Sequence, residues 1–292
     1  MIDWSALAQD LATQTGESAG RVRSVPLAGG SINRAFRLET DAGRYFVKLN
    51  RADRKSMFVA ERRGLEAIRS STAIRVPRVY QVGCESDYAY IVLEYIELTA
   101  TPAADRLAHA LAAMHTCVQP RFGFEVDNTI GSTPQLNPLS DDWIEFWRQH
   151  RLEFQLALAR RNGLPSALLD SGARLAQQLG IFFESYQPLA ALLHGDLWSG
   201  NYAADSAGNP VIYDPACYYG DHEADLAMME LFGNPGESFF AGYRERFPID
   251  AGYPLRRDLY NLYHLLNHAN LFGGSYVAQS QRVSDRLLAQ LR

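Results

Sequence analysis

The chain has 292 residues, 47% of them hydrophobic and 21% charged, with a formal net charge of −5, an ordinary globular balance sized for about two domains. That charge gives no reason to expect nucleic acid or an anionic membrane surface as a partner. Cys84, Cys117 and Cys217 are odd in number, far apart and free of any C-x-x-C, which argues against a disulfide framework or a zinc site and fits a reducing compartment.

Residues 3–15 repeat apolar side chains at helical spacing (Trp4, Leu7, Ala8, Leu11), with Asp3 or Ser5 as cap. The segment has acidic residues and no continuous apolar core, so it reads as a surface helix and not as a signal peptide. No stretch approaches the ~20 apolar residues of a membrane span. A cytoplasmic protein with no membrane partner is expected.

Short strands follow over 22–27, 31–39 and 45–50, with a turn at Asp41-Ala42-Gly43. Gly29, Gly30 and Ser31, between the first two, form a candidate phosphate-covering turn, because glycine lets backbone amides approach phosphate oxygens. The segment is neither a G-x-G-x-x-G nor a G-K-[ST] loop, and a Gly-Gly hairpin is the plainer alternative. In the third strand, side chains alternate so that Tyr45, Val47 and Leu49 share one face while Phe46 and Lys48 share the other. A lysine in so apolar a run is either an edge guard or a phosphate-binding ammonium. Residues 55–70 read as a helix with Phe58, Leu65 and Ile68 in one stripe, and Glu61 falls within that stripe. An inward glutamate beside an inward lysine is the pair that holds such a lysine on nucleotide phosphates. Glu66 competes from further round the helix. Arg51, Arg54, Lys55, Arg62 and Arg63 form a local basic run, read as a solvated face.

Two more strands, 78–84 and 88–94, lead into a polar stretch ending at Pro102, and beyond it nearly everything reads as helical. The chain therefore divides into residues 1–97, a nucleotide-binding lobe, and 98–292, a catalytic and substrate lobe. In that arrangement the connector offers backbone groups of Glu94, Tyr95 and Ile96 to an adenine edge. His115 closes a helix over 103–117 and reads as a satisfied core histidine. Residues 122–139 read as a long functional loop, and helices are expected near 141–160, 168–185, 236–247, 255–272 and 280–291.

The most informative stretch is His194-Gly195-Asp196-Leu197-Trp198-Ser199-Gly200-Asn201, followed by the apolar strand Val211-Ile212-Tyr213 and Asp214. It has the grammar H-x-D-L-x-x-x-N followed by a strand-terminal aspartate. Phosphoryl transfer needs one carboxylate to orient or deprotonate the acceptor hydroxyl, and oxygen ligands for the Mg²⁺ that neutralises the phosphates. Asp196 suits the first task, and Asn201 with Asp214 the second. Asp225, on the apolar helix that follows, needs buried partners, and the backbone amides of the loop begun by His194 are the available ones. Both residues are read as structural support for the loop.

The strings HGDLWSGN (194–201), YDPACYYG (213–220) and EADLAM (223–228), with GGSIN (29–33), FVKLN (46–50) and GSTPQLN (131–137), resemble the fructosamine-kinase (ketosamine-3-kinase) family. The resemblance implies an α+β, bilobal protein-kinase-like fold, with a small antiparallel sheet lobe carrying one main helix and a larger helical lobe. It implies ATP and Mg²⁺ as cofactors, and transfer of the γ-phosphate to the 3-hydroxyl of a ketosamine, small or protein-bound, followed by loss of the amine. By position it makes Asp196 the base, Asn201 and Asp214 the metal ligands, Lys48 with Glu61 the phosphate pair, and Trp198 an aromatic wall for the sugar. The chain departs from protein kinases in three places. Gly195 replaces the loop arginine, Asp214-Pro215-Ala216 replaces D-F-G, and Phe46 stands where an alanine usually makes room for adenine. A kinase of the same fold acting on an aminoglycoside or amino alcohol is the nearest alternative. A catalytically inactive nucleotide-binding module is the alternative of a different class.

Overall fold

A computed structural model of the chain describes residues 2–16, 18–28, 32–99 and 101–291. Helix α1 (Trp4–Thr15) begins at Asp3, whose carboxylate accepts the Ser5 and Ala6 N–H groups at 2.9 and 3.1 Å. This satisfies amides that the first helical turn leaves without partners. Strands β1 (Arg23–Leu27), β2 (Arg34–Thr40), β3 (Gly43–Arg51), β4 (Val79–Glu85) and β5 (Tyr88–Glu94) form an antiparallel sheet in the order β1-β2-β3-β5-β4. The pleat of β3 sorts its residues by face. Tyr45, Val47 and Leu49 pack with Leu7 and Leu11 of α1, while Phe46 and Lys48 line a cleft on the other side.

Helix α2 (Lys55–Ser70) covers that other side of the sheet and buries Phe58, Leu65 and Ile68. Those three join Ile91 and Leu93 of β5 in a core that runs on into the following half of the chain. Each such side chain, fully buried, contributes about 1.5–3 kcal/mol. The connector after β5 is tied to that second half where the Thr99 N–H donates to the Ala204 carbonyl at 2.7 Å.

The second half opens with α3 (Ala104–His115) and the two-residue strand β6 (Val118–Gln119). The stretch 122–139, expected to be loop throughout, carries a small hairpin of β7 (Asn128–Ile130) and β8 (Thr133–Gln135). The helix expected over 141–160 runs as α4 (Trp143–Trp147), a π-helical segment (Arg148–Glu153) and α5 (Phe154–Arg161). Within the π segment Arg151 is fully buried, donating to the Leu136 carbonyl and the Asn137 side chain, both at 2.7 Å, with its guanidinium 4.3 Å from the Tyr218 ring centroid. After α6 (Ser166–Gln177) and a 3₁₀ turn (Leu179–Phe183), strand β9 (Ala190–Leu193) pairs with β6 and with β12 (Tyr218–Gly220), and β10 (Tyr202–Ala204) pairs with β11 (Pro210–Ile212).

Helices α7 (Glu223–Leu231), α8 (Glu237–Arg244), α9 (Tyr253–Phe272) and α10 (Ser275–Gln290) complete the chain. Buried Arg256 of α9 clamps Glu223 of α7 with two bonds of 2.6 and 3.0 Å, so α7 is fixed where the catalytic stretch needs it. Among the described residues no helix is long and apolar enough to cross a membrane.

Candidate active site

The loop after β9 is held from below by one carboxylate. Asp225 accepts the His194 N–H at 2.7 Å and the Gly195 N–H at 2.8 Å, and it is itself bonded at 3.2 Å to Nε2 of fully buried His115. His115 Nδ1 is bonded in turn to the Tyr243 hydroxyl at 2.5 Å. Burial alone would raise the Asp225 pKa, yet His115, His194 and the loop amides outweigh it and hold it below the ordinary carboxylate value. His194 bridges the loop to the next strand. Its Nε2–H donates to the Tyr213 carbonyl at 2.9 Å, and Nδ1 accepts the Asp196 N–H at 3.2 Å. Burial keeps this imidazole neutral by lowering its pKa, as that tautomer requires. Gly195 has φ +81°, and a Cβ there would sit 2.1 Å from the Ala216 carbonyl oxygen, so an arginine cannot occupy this place.

Asp196 projects into the cleft from the loop so held. Asn201 Nδ2 donates to the Asp196 backbone carbonyl at 2.8 Å and to its carboxylate at 3.2 Å, which leaves the Asn201 amide oxygen for another ligand. Loss of water, and then the neighbouring Asp214 carboxylate, push the Asp196 pKa up to about 7, with Asn201 opposing. A general base with a pKa near the working pH combines a useful deprotonated fraction with useful basicity.

Across the cleft, Lys48 is only 5% exposed, and its ammonium donates to Glu61 at 2.7 Å and to Asp214. Burial works to lower its pKa, but the Asp214 and Glu61 carboxylates outweigh it, so the ammonium is charged. Glu66 lies 3.7 Å from both Arg62 and Arg63 instead. Asp214 has left-handed backbone at φ 59°, a conformation aspartate tolerates better than most residues, and its side chain is 48% exposed. The donors gathered here are the Asp214 carboxylate and the Asn201 amide oxygen, with the Asp196 carboxylate alongside. Among the described residues no group of three His, Cys, Asp or Glu side chains forms a metal cage. A sparse set of hard oxygens fits magnesium, which keeps several waters and takes phosphate oxygens.

Lys48, Glu61, Asp196, Asn201, Asp214 and Trp198 all line one cleft of about 900 Å³. The Trp198 ring lies over Gly200, where a Cβ would come within 2.3 Å of it. Glu94, Tyr95 and Ile96 do not line this cleft. The Glu94 N–H is taken by the Arg78 carbonyl at 2.8 Å and its carboxylate by Arg75 at 2.7 Å. Gly29, Gly30 and Ser31 lie outside the described residues.

Sequence reasoning marked residues 122–139 as functional but missed their hairpin, and it missed the rings at the far end. The β7–β8 hairpin contributes Asn128 to Gly131 to the lining, and its Asn128 and Gln135 side chains donate to the Cys217 and Ala216 carbonyls at 2.7 and 3.1 Å. A group of rings where α7, α9 and α10 meet lines the far end, and helical periodicity alone cannot tell such rings from core.

A two-lobed α+β fold with a lysine on the third strand, a buried glutamate partner and the H-x-D…N…D series in one cleft defines an ATP-dependent kinase of the protein-kinase-like class. The fructosamine kinase family pattern matches residues 3–290, and the chain belongs to that family. A probable ketoamine kinase of Synechocystis is 43% identical over 98% of this chain and 97% of its own. The chloroplastic protein-ribulosamine 3-kinase of Arabidopsis thaliana is 46% identical over 91% of this chain and 82% of its own. A crystal structure from Haemophilus somnus, assigned as a fructosamine-3-kinase, superposes with a TM-score of 0.89 at 27% identity, covering 97% of this chain and 96% of that one. Aminoglycoside phosphotransferase structures, at 17% identity, share the fold alone.

Proposed function

We propose that this chain transfers the γ-phosphoryl group of ATP to the 3-hydroxyl of a ketosamine, the fructosamine or ribulosamine adduct of a lysine or other amine. The 3-phosphate so formed sheds its amine, and the consequence is deglycation. The observation that carries the reading is the convergence of Lys48, Asp196, Asn201 and Asp214 on one cleft in a chain 46% identical to a protein-ribulosamine 3-kinase.

Asp196 orients the acceptor hydroxyl and takes its proton as the oxygen attacks phosphorus. The bridging oxygen of ATP leaves with the electron pair, giving ADP. Asn201 and Asp214 hold Mg²⁺, which when bound neutralises phosphate charge. Lys48, steadied by Glu61, positions the phosphates. Trp198 walls the sugar, while His194 and Asp225 keep the loop in shape. The Glu94 carbonyl and the backbone of Tyr95 and Ile96 face adenine. The lobes 1–97 and 98–292 close on the nucleotide from either side, and the enzyme works in the cytoplasm.

An aminoglycoside kinase would want an acidic acceptor surface for its polycation. The carboxylates lining this cleft are Glu61, Asp196 and Asp214, all bonded to neighbours within the site. With Mg²⁺ and ATP, the purified protein should consume ATP when given fructosyl- or ribulosyl-lysine, and not when given kanamycin or choline. The reverse pattern would transfer the fold to another alcohol acceptor. Inertness toward every acceptor would favour a nucleotide-binding module.

A further inference from the structure

Beyond the reacting groups, the cleft continues to a corner built by the end of α7 and the α9–α10 turn. Phe232 stands 5.0 Å from His268 between ring centroids, His268 4.9 Å from Tyr276, and Phe272 5.7 Å from His268. Trp198 meets Phe232 edge-on at 6.5 Å, so the catalytic loop and this corner share one continuous aromatic lining. Trp198 and Phe272 are 38% and 55% exposed, too much for rings recruited only to fill a core.

Charge at this end is scarce. Among the described residues the one lysine or arginine lining the cleft is Lys48, on the opposite side, and it is neutralised by Glu61 and Asp214. His268 Nδ1 donates to the His264 carbonyl at 2.7 Å, which leaves Nε2 as a lone-pair acceptor on the neutral ring. Burial lowers the His268 pKa, so the ring does not repel a cation at neutral pH. Several ring faces, one nitrogen acceptor and no local cation make a setting that attracts an alkylammonium and covers its hydrocarbon.

We propose that Phe232, His268, Phe272 and Tyr276, facing Trp198, seat the protonated secondary amine and alkyl arm of the acceptor. This deepens the ketosamine reading and rests on it. The sugar then lies between Trp198 and Asp196, and the arm leaves past Phe272 toward solvent, which leaves room for an arm that continues into a polypeptide.

The test compares two acceptors with the same sugar, Nα-acetyl-Nε-fructosyl-lysine and the neutral 1-O-butyl ether of fructose. Phe272→Ala should raise KM for the lysine adduct about 3–10-fold, the span of one cation–π contact. It should leave kcat and KM for ATP unchanged, as expected for lost uniform binding, and raise KM for the ether by a smaller factor, that of the lost hydrocarbon contact alone. Phe272→Tyr should restore the wild-type KM. Equal KM increases for both acceptors, or none for either, overturn the proposal.

A second measurement needs no turnover. Met228 and Met57 both line the cleft, Met228 one helical turn from Phe232 and Met57 one turn from Glu61, so their methyl resonances report the two regions separately. Butylammonium should shift Met228 saturably and leave Met57 alone, with the shift weakened in Phe272→Ala, while butanol at the same concentration should shift Met228 less. Butanol shifting Met228 equally, or butylammonium failing to shift it, removes the subsite. A protein that binds butylammonium this way yet phosphorylates no ketosamine would keep the subsite and lose the ketosamine reading.

Discussion

Asp196 is the proposed proton acceptor, and its surroundings work against its charge. A carboxyl whose pKa is raised to about 7 in the folded state is largely protonated below that value. In the free enzyme kcat/KM for the acceptor should therefore climb with pH through about 7, read from a pH–rate profile; a flat profile from pH 5.5 to 8.5 would contradict the assignment. The same raised pKa sets a stability cost. The protonated form is the one the fold prefers, so that contribution is complete below about 4 and is lost as pH rises through about 7. Asp196→Asn should lower kcat by ~10²–10⁴-fold while its melting temperature at pH 8 equals or exceeds that of the wild type. Its place in the cleft beside Lys48, Asn201 and Asp214 could be read from sequence because the proposed proton acceptance and metal ligation fix both residue type and spacing across H-x-D-L-x-x-x-N. Phe232, His268, Phe272 and Tyr276 could not, since no chemistry fixes their spacing and only the turn between α9 and α10 brings them beside Trp198.

At the scale of elements, the catalytic loop is a suspended structure. Its two leading amides hang from one carboxylate on α7, and α7 is fixed by the Arg256–Glu223 clamp from α9. An amide in place of Asp225 can accept one of those N–H groups well but turns its own NH₂ toward the other. Asp225→Asn should therefore cost about 1–3 kcal/mol in denaturant unfolding, the usual cost of a buried polar group left unpaired. It should also lower kcat more than it raises KM for ATP, and unchanged stability together with unchanged kcat would contradict this account. Helix α2 was readable in full because Phe58, Leu65 and Ile68 mark one stripe and Glu61 breaks its apolar rule. The β7–β8 hairpin was not. Its strands have three residues each, too short to show an alternation, and they are held by Asn128 and Gln135 bonding to carbonyls 89 and 81 residues away in the chain. The π-helical segment was hidden as well, because Arg151 looks like a surface residue until its partners at Leu136, Asn137 and Tyr218 are in place.

Taken whole, the molecule has two lobes, and its core is not divided between them. One face of the five-stranded sheet packs on α1, whereas the α2 face joins a cluster that continues through α3, β9 and α7. The polar connector near Thr99 follows the last strand of the five-stranded sheet, and burial across it is a property of the folded chain alone. Calorimetry should accordingly show a single unfolding transition, moved upward by Mg²⁺ with ADP as binding to the native state requires. Two resolved transitions would mean that the lobes are energetically separate.

The most direct test of the account is to follow the acceptor itself by ³¹P and ¹³C NMR while wild-type protein, Mg²⁺ and ATP act on C3-labelled ribulosyl-lysine. A phosphate ester coupled to the labelled carbon, formed in step with ADP and absent with Asp196→Asn, is the predicted result. Phosphate on another hydroxyl, or ADP released with no sugar phosphate, would contradict it.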